Sequence, residues 1–383
     1  MRRVIIASMV LLLAPRVAAA QLPTDAQILS PALNQASPDG GSGPVSISPN
    51  GKALAFASTA SNLVSGDTNQ FSDIFTVTEV GGAVTPELLV KSRTGGFPDG
   101  ASEGPSVSAT HPDGRRYFVG FTSNATNLIT GYEPITENPQ AFVSLQPRGE
   151  TILISRALGS TTPGDLDLRP CNGIVKNVSV SIRGLEPPEF RVAFLSDATD
   201  LGAGAPNPNQ KMLPFVAVVK RRDGKPGWTV DIRSMPTPDN NRDHAGLSIS
   251  GDGLSVVYEL SRNLASGVSL KQVFRAKEGD LTATLVSQYA FDNSFEAFAP
   301  STSFNGQVVS FLMRNGQGVS APANLFVVRS GDDFAQRPTQ VNTNAAGVVS
   351  NGHIIDDYGT GSYSPRATIS PSGLFAAFSD DGT

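Results

Sequence analysis

The sequence predicts an all-β protein, specifically a β-propeller of four-stranded antiparallel blades, and three observations carry that expectation. Apolar residues come in short β-branched and aromatic runs broken by Gly, Pro, Asn, Asp and Ser. A hairpin that closes on an aromatic residue occurs six times along the chain. The first five copies are each followed by further strand-like runs in a fixed order, and four short strands per repeat make one propeller blade.

The hairpin reads VSISPNGKALAF (45–56), SVSATHPDGRRYFVGF (106–121) and NVSVSIRGLEPPEFRVAF (177–194). It returns as LSISGDGLSVVY (247–258), PSTSFNGQVVSF (300–311) and ATISPSGLFAAF (367–378). Its closing aromatics are Phe56, Phe121, Phe194, Tyr258, Phe311 and Phe378, at intervals of 53 to 73 residues. Asn50-Gly51, Asp113-Gly114, Asp252-Gly253 and Asn305-Gly306 are pairs that accept positive φ in a tight turn. Alternation in SISPNGKALAF sends every second side chain to one face, where the closing aromatic is expected to fill the space between stacked sheets.

Three further elements follow each of the first five hairpins. The first is STASNLVSG (58–66), SNATNLITG (123–131), SDATDLGAG (196–204) or LSRNLASG (260–267), reduced to RNGQG (314–318) in the fifth copy. A third strand comes next, as in DIFTVTE (73–79), QAFVSLQ (140–146), PFVAVVK (214–220), QVFRAK (272–277) and NLFVVRS (324–330). A fourth closes the unit, as in PELLVKS (86–92), ETILISR (150–156), WTVDIRS (228–234), TATLVSQ (282–288) and RPTQVNT (337–343).

The hairpin S-x-S-P-[DN]-G-x-x-[VAL]-x-F, followed by S-N-L-V-x-G-D-T-N and D-[IV]-F, resembles the TolB-type β-propeller repeat family. The first copy, Ser46 to Phe75, matches most closely, and the resemblance extends over nearly all of the chain after residue 20. It implies the fold. It leaves function open, because such repeats occur in periplasmic scaffolds, in non-catalytic halves of serine peptidases, in some lyases and in large surface proteins.

Closure is expected to join the two ends, since an open sheet leaves unpaired edges. AQILSPA (26–32) follows the fourth-strand pattern, so it is expected to supply the outer strand of the last blade. Only five residues follow Phe378, whereas the third strand of the first repeat starts seventeen residues beyond Phe56. The expectation is six blades with the sixth incomplete and the sequence truncated at the C-terminus, a seventh blade being the alternative.

The N-terminus reads as a secretory signal peptide over residues 1–20. Arg2 and Arg3 form its basic region, Val4 to Leu13 its apolar core and Ala18-Ala19-Ala20 its cleavage site. The apolar run is too short to span a bilayer, so the mature chain, 21–383, is expected to be a single exported propeller domain without a transmembrane segment, periplasmic or at the cell surface. A net charge of −5 without a basic patch speaks against nucleic acid. The single cysteine, Cys171, excludes an internal disulfide, so the fold must be held by its own core.

Candidate chemistry is sparse. His111 belongs to a hairpin turn, while His244 and His353 precede innermost strands, where loops crowd one mouth of a propeller. His244, Asp243, His353, Asp356 and Asp357 are therefore the candidates to converge there, as in metal-assisted polysaccharide lyases or hydrolases on related propellers; two histidines are few for a metal centre. No G-x-S-x-G elbow is present, and Trp228 lies in a fourth strand, where it reads as packing. Asp67, Asn69 and Asp73 have the spacing of calcium ligands, but their counterparts in later copies do not preserve it. They read first as side-chain caps of a tight connection, with calcium as the alternative and no other cofactor expected. With no residue assigned as catalytic, the sequence favours a non-catalytic scaffold that binds a protein or polysaccharide partner.

Overall fold

The structure is a computed structural model. It describes residues 11–12, 33, 37–49, 51–80, 83–110, 116–132, 137–157, 168–185, 188–201, 207–223, 227–263, 269–287, 295–315, 323–329, 338–341, 368–369 and 375–377. Strand β1 is Leu11–Leu12. Two compact units divide the chain: one comprises residues 28–235 with 239–241, the other 1–27, 236–238 and 242–383.

The first of these holds three blades. Blade 1 is β2 (Ser42–Ile47), β3 (Leu54–Ser58), β4 (Asp73–Val80) and β5 (Ala83–Leu88). Blade 2 is β6 (Ser102–Val107), β7 (Tyr117–Ser123), β8 (Gln140–Gln146) and β9 (Glu150–Leu153). Blade 3 is β10 (Val175–Leu185), β11 (Pro188–Ser196), β12 (Leu213–Arg221) and β13 (Trp228–Ser234). The second unit holds blade 4, built from β14 (His244–Ile249), β15 (Ser255–Asn263), β16 (Ser269–Lys277) and β17 (Thr284–Leu285). It also holds blade 5, built from β18 (Phe295–Thr302), β19 (Val308–Asn315), β20 (Ala323–Arg329) and β21 (Thr339–Gln340). Every blade is an antiparallel meander in sequence order.

Five four-stranded blades are present among the described residues, where the sequence predicts six with the last one incomplete. The sixth hairpin contributes only β22 (Thr368–Ile369) and β23 (Phe375–Ala377), and the strand beside β23 is β1. A four-stranded sheet therefore does not form there. Residues 26–32, expected to close the last blade, lie outside the described residues. So do Asp113-Gly114 and Ser372-Gly373.

The expected aromatic core is present, in a more specific form. In each of the five blades the closing aromatic sits directly opposite the phenylalanine of the third strand, and the two rings stack. The pairs are Phe56–Phe75 at 5.7 Å, Phe121–Phe142 at 5.8 Å, Phe194–Phe215 at 5.9 Å, Tyr258–Phe274 at 6.2 Å and Phe311–Phe326 at 6.3 Å. Such cross-strand pairs stabilise a sheet beyond the area they bury.

The serines of the hairpin signature have separate duties. The second one staples its own turn: the hydroxyls of Ser48, Ser250 and Ser303 accept from the backbone N–H of Ala53, Ser255 and Val308 at 2.8, 2.9 and 3.1 Å. The turn glycines Gly51, Gly253 and Gly306 take φ of 70°, 73° and 69°, as the hairpin requires. The first serine reaches the next blade. Ser46 Oγ accepts from Val107 N at 2.9 Å, and Ser106 Oγ from Val180 N at 3.2 Å.

Each innermost strand also contains a bulge, at Ser42/Val45, Glu103/Ser106, Lys176/Ser179, Ala245/Leu247 and Phe298/Ser301. Gly104, Asn177, Gly246 and Ala299 hold positive φ there. A bulge sharpens local twist. It also lets the inner strands begin earlier than the sequence pattern suggests, at Ser42, Ser102 and Val175.

Candidate functional site

The long connection after β3 carries the residues that the sequence marks as possible ligands. Its first half is a clasp that recurs in blades 2 and 3. Asp39 accepts from Ser61 N at 2.8 Å and Ser61 Oγ at 2.6 Å, while Asp39 N donates to Asn62 Oδ1 at 3.2 Å. Asp99 engages Thr126 and Asn127 in the same way, and Asn172 engages Thr199 and Asp200. The hydroxyls of Ser58, Ser123 and Ser196 each accept from the N–H two residues on, at 3.1 Å. Leu63, Leu128 and Leu201 are buried below. The glycine after the clasping Asp or Asn has no room for a side chain: a Cβ on Gly40 would lie 2.6 Å from Ala60 N, and one on Gly100 would lie 2.9 Å from Ala125 N. The S-x-A-[ST]-[ND]-L pattern is thus a closure between a [DN]-G turn and the strand 2–3 connection.

The second half of the blade 1 connection carries Asp67 and Asn69 and leads into Asp73. Asn69 stands at its centre. Its side-chain amide donates to Asp73 Oδ2 at 2.9 Å and to Pro98 O at 3.0 Å. Its backbone N–H donates to the carboxylate of Asp67, and its Oδ1 accepts from Phe71 N at 3.0 Å. Asp73 is completely buried. Asp67 Oδ1, Asp73 Oδ1 and the adjoining Ser72 Oγ are buried oxygens with no hydrogen-bond partner. Burial pushes the Asp73 carboxyl up to about 7; the Asn69 hydrogen bond opposes the shift and the Asp67 charge adds to it. Burial likewise raises Asp67 above the ordinary carboxylate range. The capping role expected of Asn69 is therefore present, but two bare carboxylate oxygens remain beside it.

Blade 2 answers the same position differently. Gln140 lies opposite Ser123 as Asp73 lies opposite Ser58. Its Nε2 donates to Gly173 O at 3.1 Å and to Cys171 O at 3.4 Å, and its Oε1 accepts from Ser155 Oγ at 2.7 Å and from Cys171 Sγ at 3.2 Å. Burial pushes the Cys171 thiol up to about 11. Thiolate is the reactive form, so native protein at pH 8 is expected to resist iodoacetamide while chain unfolded in guanidinium reacts readily. Mass spectrometry of the two samples checks this; equal labelling rates would contradict it.

The histidine candidates separate. His111, His353, Asp356 and Asp357 lie outside the described residues. His244 is buried with both ring nitrogens engaged, Nε2 with Thr237 Oγ1 at 2.5 Å and Nδ1 with Arg242 O at 3.0 Å. Its ring meets Tyr258 edge-on at 5.2 Å, and Tyr258 donates to Pro236 O at 2.7 Å. This environment orders the entry to β14, while the neighbouring Asp243 is exposed. Trp228 packs as the sequence suggests: Nε1 donates to Glu150 at 2.8 Å, and Phe190 meets its ring edge-on at 5.5 Å.

Two buried ion pairs in the second unit have no signature in the repeat. Glu259 Oε2 lies 3.1 Å from Lys271 Nζ, and its Oε1 accepts from Ala299 N at 2.7 Å. Glu296 Oε2 accepts from Arg314 Nε and Nη2 at 2.9 and 2.7 Å, with the guanidinium 4.8 Å from the Phe298 ring centroid. Among the described residues, no three His, Cys, Asp or Glu side chains group as metal ligands.

The fold and these contacts define a β-propeller protein. No protein family matches the chain, and no curated protein matches it. Among solved structures it is similar to a protein of unknown function from Dyadobacter fermentans DSM 18053, at 16% identity and a TM-score of 0.41, over 80% of this chain and 83% of that one. It is similar to an oligogalacturonate lyase in complex with manganese, at 8% identity and a TM-score of 0.43, over 88% of each chain. It is also similar to prolyl oligopeptidase B from Galerina marginata, at 9% identity and a TM-score of 0.41, over 78% of this chain and 34% of that one. The chain thus spans about a third of that peptidase. These likenesses assign no activity.

Proposed function

We propose that this chain is an exported propeller of the TolB type, acting in the periplasm or at the cell surface as a non-catalytic scaffold for a protein or polysaccharide partner. One observation carries the reading: the residues that recur from blade to blade are spent on the frame, and the connections between second and third strands vary. Serines staple hairpins and join blades, and Asp or Asn clasps the loop entrance. The connections span 59–72, 124–139 and 197–212 after β3, β7 and β11, against 264–268 and 316–322 after β15 and β19. A constant frame that presents variable loops is how rigid scaffolds generate binding surfaces. No helix among the described residues is long and apolar enough to cross a membrane.

The test is a glycan array together with affinity capture, using protein purified from the exported fraction. Saturable binding to one polysaccharide class or one protein, without chemical change in the ligand, is the expected result. Turnover of a polysaccharide by the purified chain alone would overturn the scaffold reading. Recovery of the protein only in the cytoplasm would overturn the exported one.

A further inference from the structure

Blade 1 buries a carboxylate where blade 2 buries an amide, and the difference leaves an unmet need. Gln140 brings two N–H donors and uses them on the carbonyls of Gly173 and Cys171. Asp73, at the equivalent strand position and completely buried, has no donor to bring and leaves Oδ1 without a partner. Asn69 gathers a second carboxylate to the same place, because it binds Asp73 through its side-chain amide and Asp67 through its backbone N–H. Asp67 Oδ1 is also buried without a partner. Among the described residues neither aspartate has an ion-pair partner. A carboxylate oxygen held away from water is unfavourable unless a cation or a proton meets it.

We propose that Asp67 Oδ1 and Asp73 Oδ1 are ligands of a calcium ion, with Asn69 as the residue that orients both carboxylates. A proton on Asp73 would satisfy one oxygen and leave Asp67 Oδ1 bare; a divalent cation meets both. The donors are hard oxygens on a loop, with no histidine or cysteine beside them, and that set suits calcium rather than a transition metal. Waters complete the coordination. The ion would fasten the end of the 59–72 connection to the start of β4. Through Asn69 and Pro98 O it would also fasten the junction with blade 2.

This accounts for the absence of the ligands from other copies. The residues equivalent to Asp73 are Gln140, Leu213, Gln272 and Asn324, none of them charged. Where the position carries an amide, as at Gln140, the side chain supplies its own donors. The site is a feature of the first blade and not of the repeat.

The experiment is a calcium titration of the full chain after chelator treatment, followed by thermal unfolding and by terbium luminescence. With few protein carboxylates, the dissociation constant is expected at about 10⁻⁴–10⁻³ M. The unfolding midpoint should rise progressively with calcium concentration, by about 2–4 °C at a tenfold excess over that constant. Asp73→Asn should abolish both the calcium shift and the terbium signal. Should that variant fail to fold, Asp67→Asn, at a half-buried loop position, should abolish them instead. A wild-type midpoint that calcium does not move, with no terbium signal, would overturn the proposal. So would an undiminished shift in either folded variant.

Discussion

Phe142→Ala is expected to remove about 3–5 kcal/mol from the stability of the three-blade unit, the range for emptying a fully buried aromatic site. Phe142 has no exposed surface, stacks on Phe121 at 5.8 Å and receives Tyr132 edge-on at 5.6 Å. Its neighbours cannot readily collapse into the space, because Phe121 and Tyr132 are anchored on separate segments and Leu153 is held in β9. The sole tryptophan provides the readout. Trp228 is buried in blade 3 of the same unit, so its fluorescence follows this unit's unfolding. A fall of about 10 °C in the fluorescence midpoint is expected for a unit of this size. Phe142→Leu should cost less, since it refills part of the volume. A Phe142→Ala midpoint within a degree of wild type would show that the stacked pairs are not what holds the blades.

What the sequence made legible follows from its periodicity. Alternating strands, positive-φ turn pairs and closing aromatics repeat, so the blade and its four strands could be placed from pattern alone. Phe75, Phe142, Phe215, Phe274 and Phe326 were visible as third-strand aromatics, but their stacking needed the register. The blade count failed at the sixth repeat, where β22 and β23 have only β1 beside them among the described residues and no four-stranded sheet forms. The site was half legible. Asp67, Asn69 and Asp73 could be read as capping residues, and Asn69 does cap. Two bare oxygens could not be read, because satisfaction of a polar group depends on what lies beyond its own segment. The same limit hid Gln140, whose partners at Cys171 and Gly173 lie 31 and 33 residues away. It hid Glu259 as well, which looks like an ordinary strand charge until its pairing with Ala299, 40 residues on, is known.

That last contact sets up the other large effect. Gly246 sits at the bulge of β14 with a φ of 37°, and the side chain of Glu259 occupies the place where its Cβ would stand. Gly246→Ala therefore does two things at once. It puts an L side chain in left-handed backbone, which alone costs about 1 kcal/mol. It also evicts the Glu259 carboxylate from Lys271 Nζ and from the N–H of Ala299, itself held at a φ of 51°. Breaking a buried pair of this kind costs about 3–5 kcal/mol, because a charge is left in the interior without its partner. The two costs are separable by a double-mutant cycle read by calorimetry. If eviction dominates, Gly246→Ala in a Glu259→Ala background should cost only the backbone portion, so the cycle should show a coupling of about 2 kcal/mol or more. Additive losses would mean that the glycine answers to backbone geometry alone. A Gly246→Ala variant as stable as wild type would mean that Glu259 swings clear without loss, and the buried carboxylate would then have no part in joining blade 4 to blade 5.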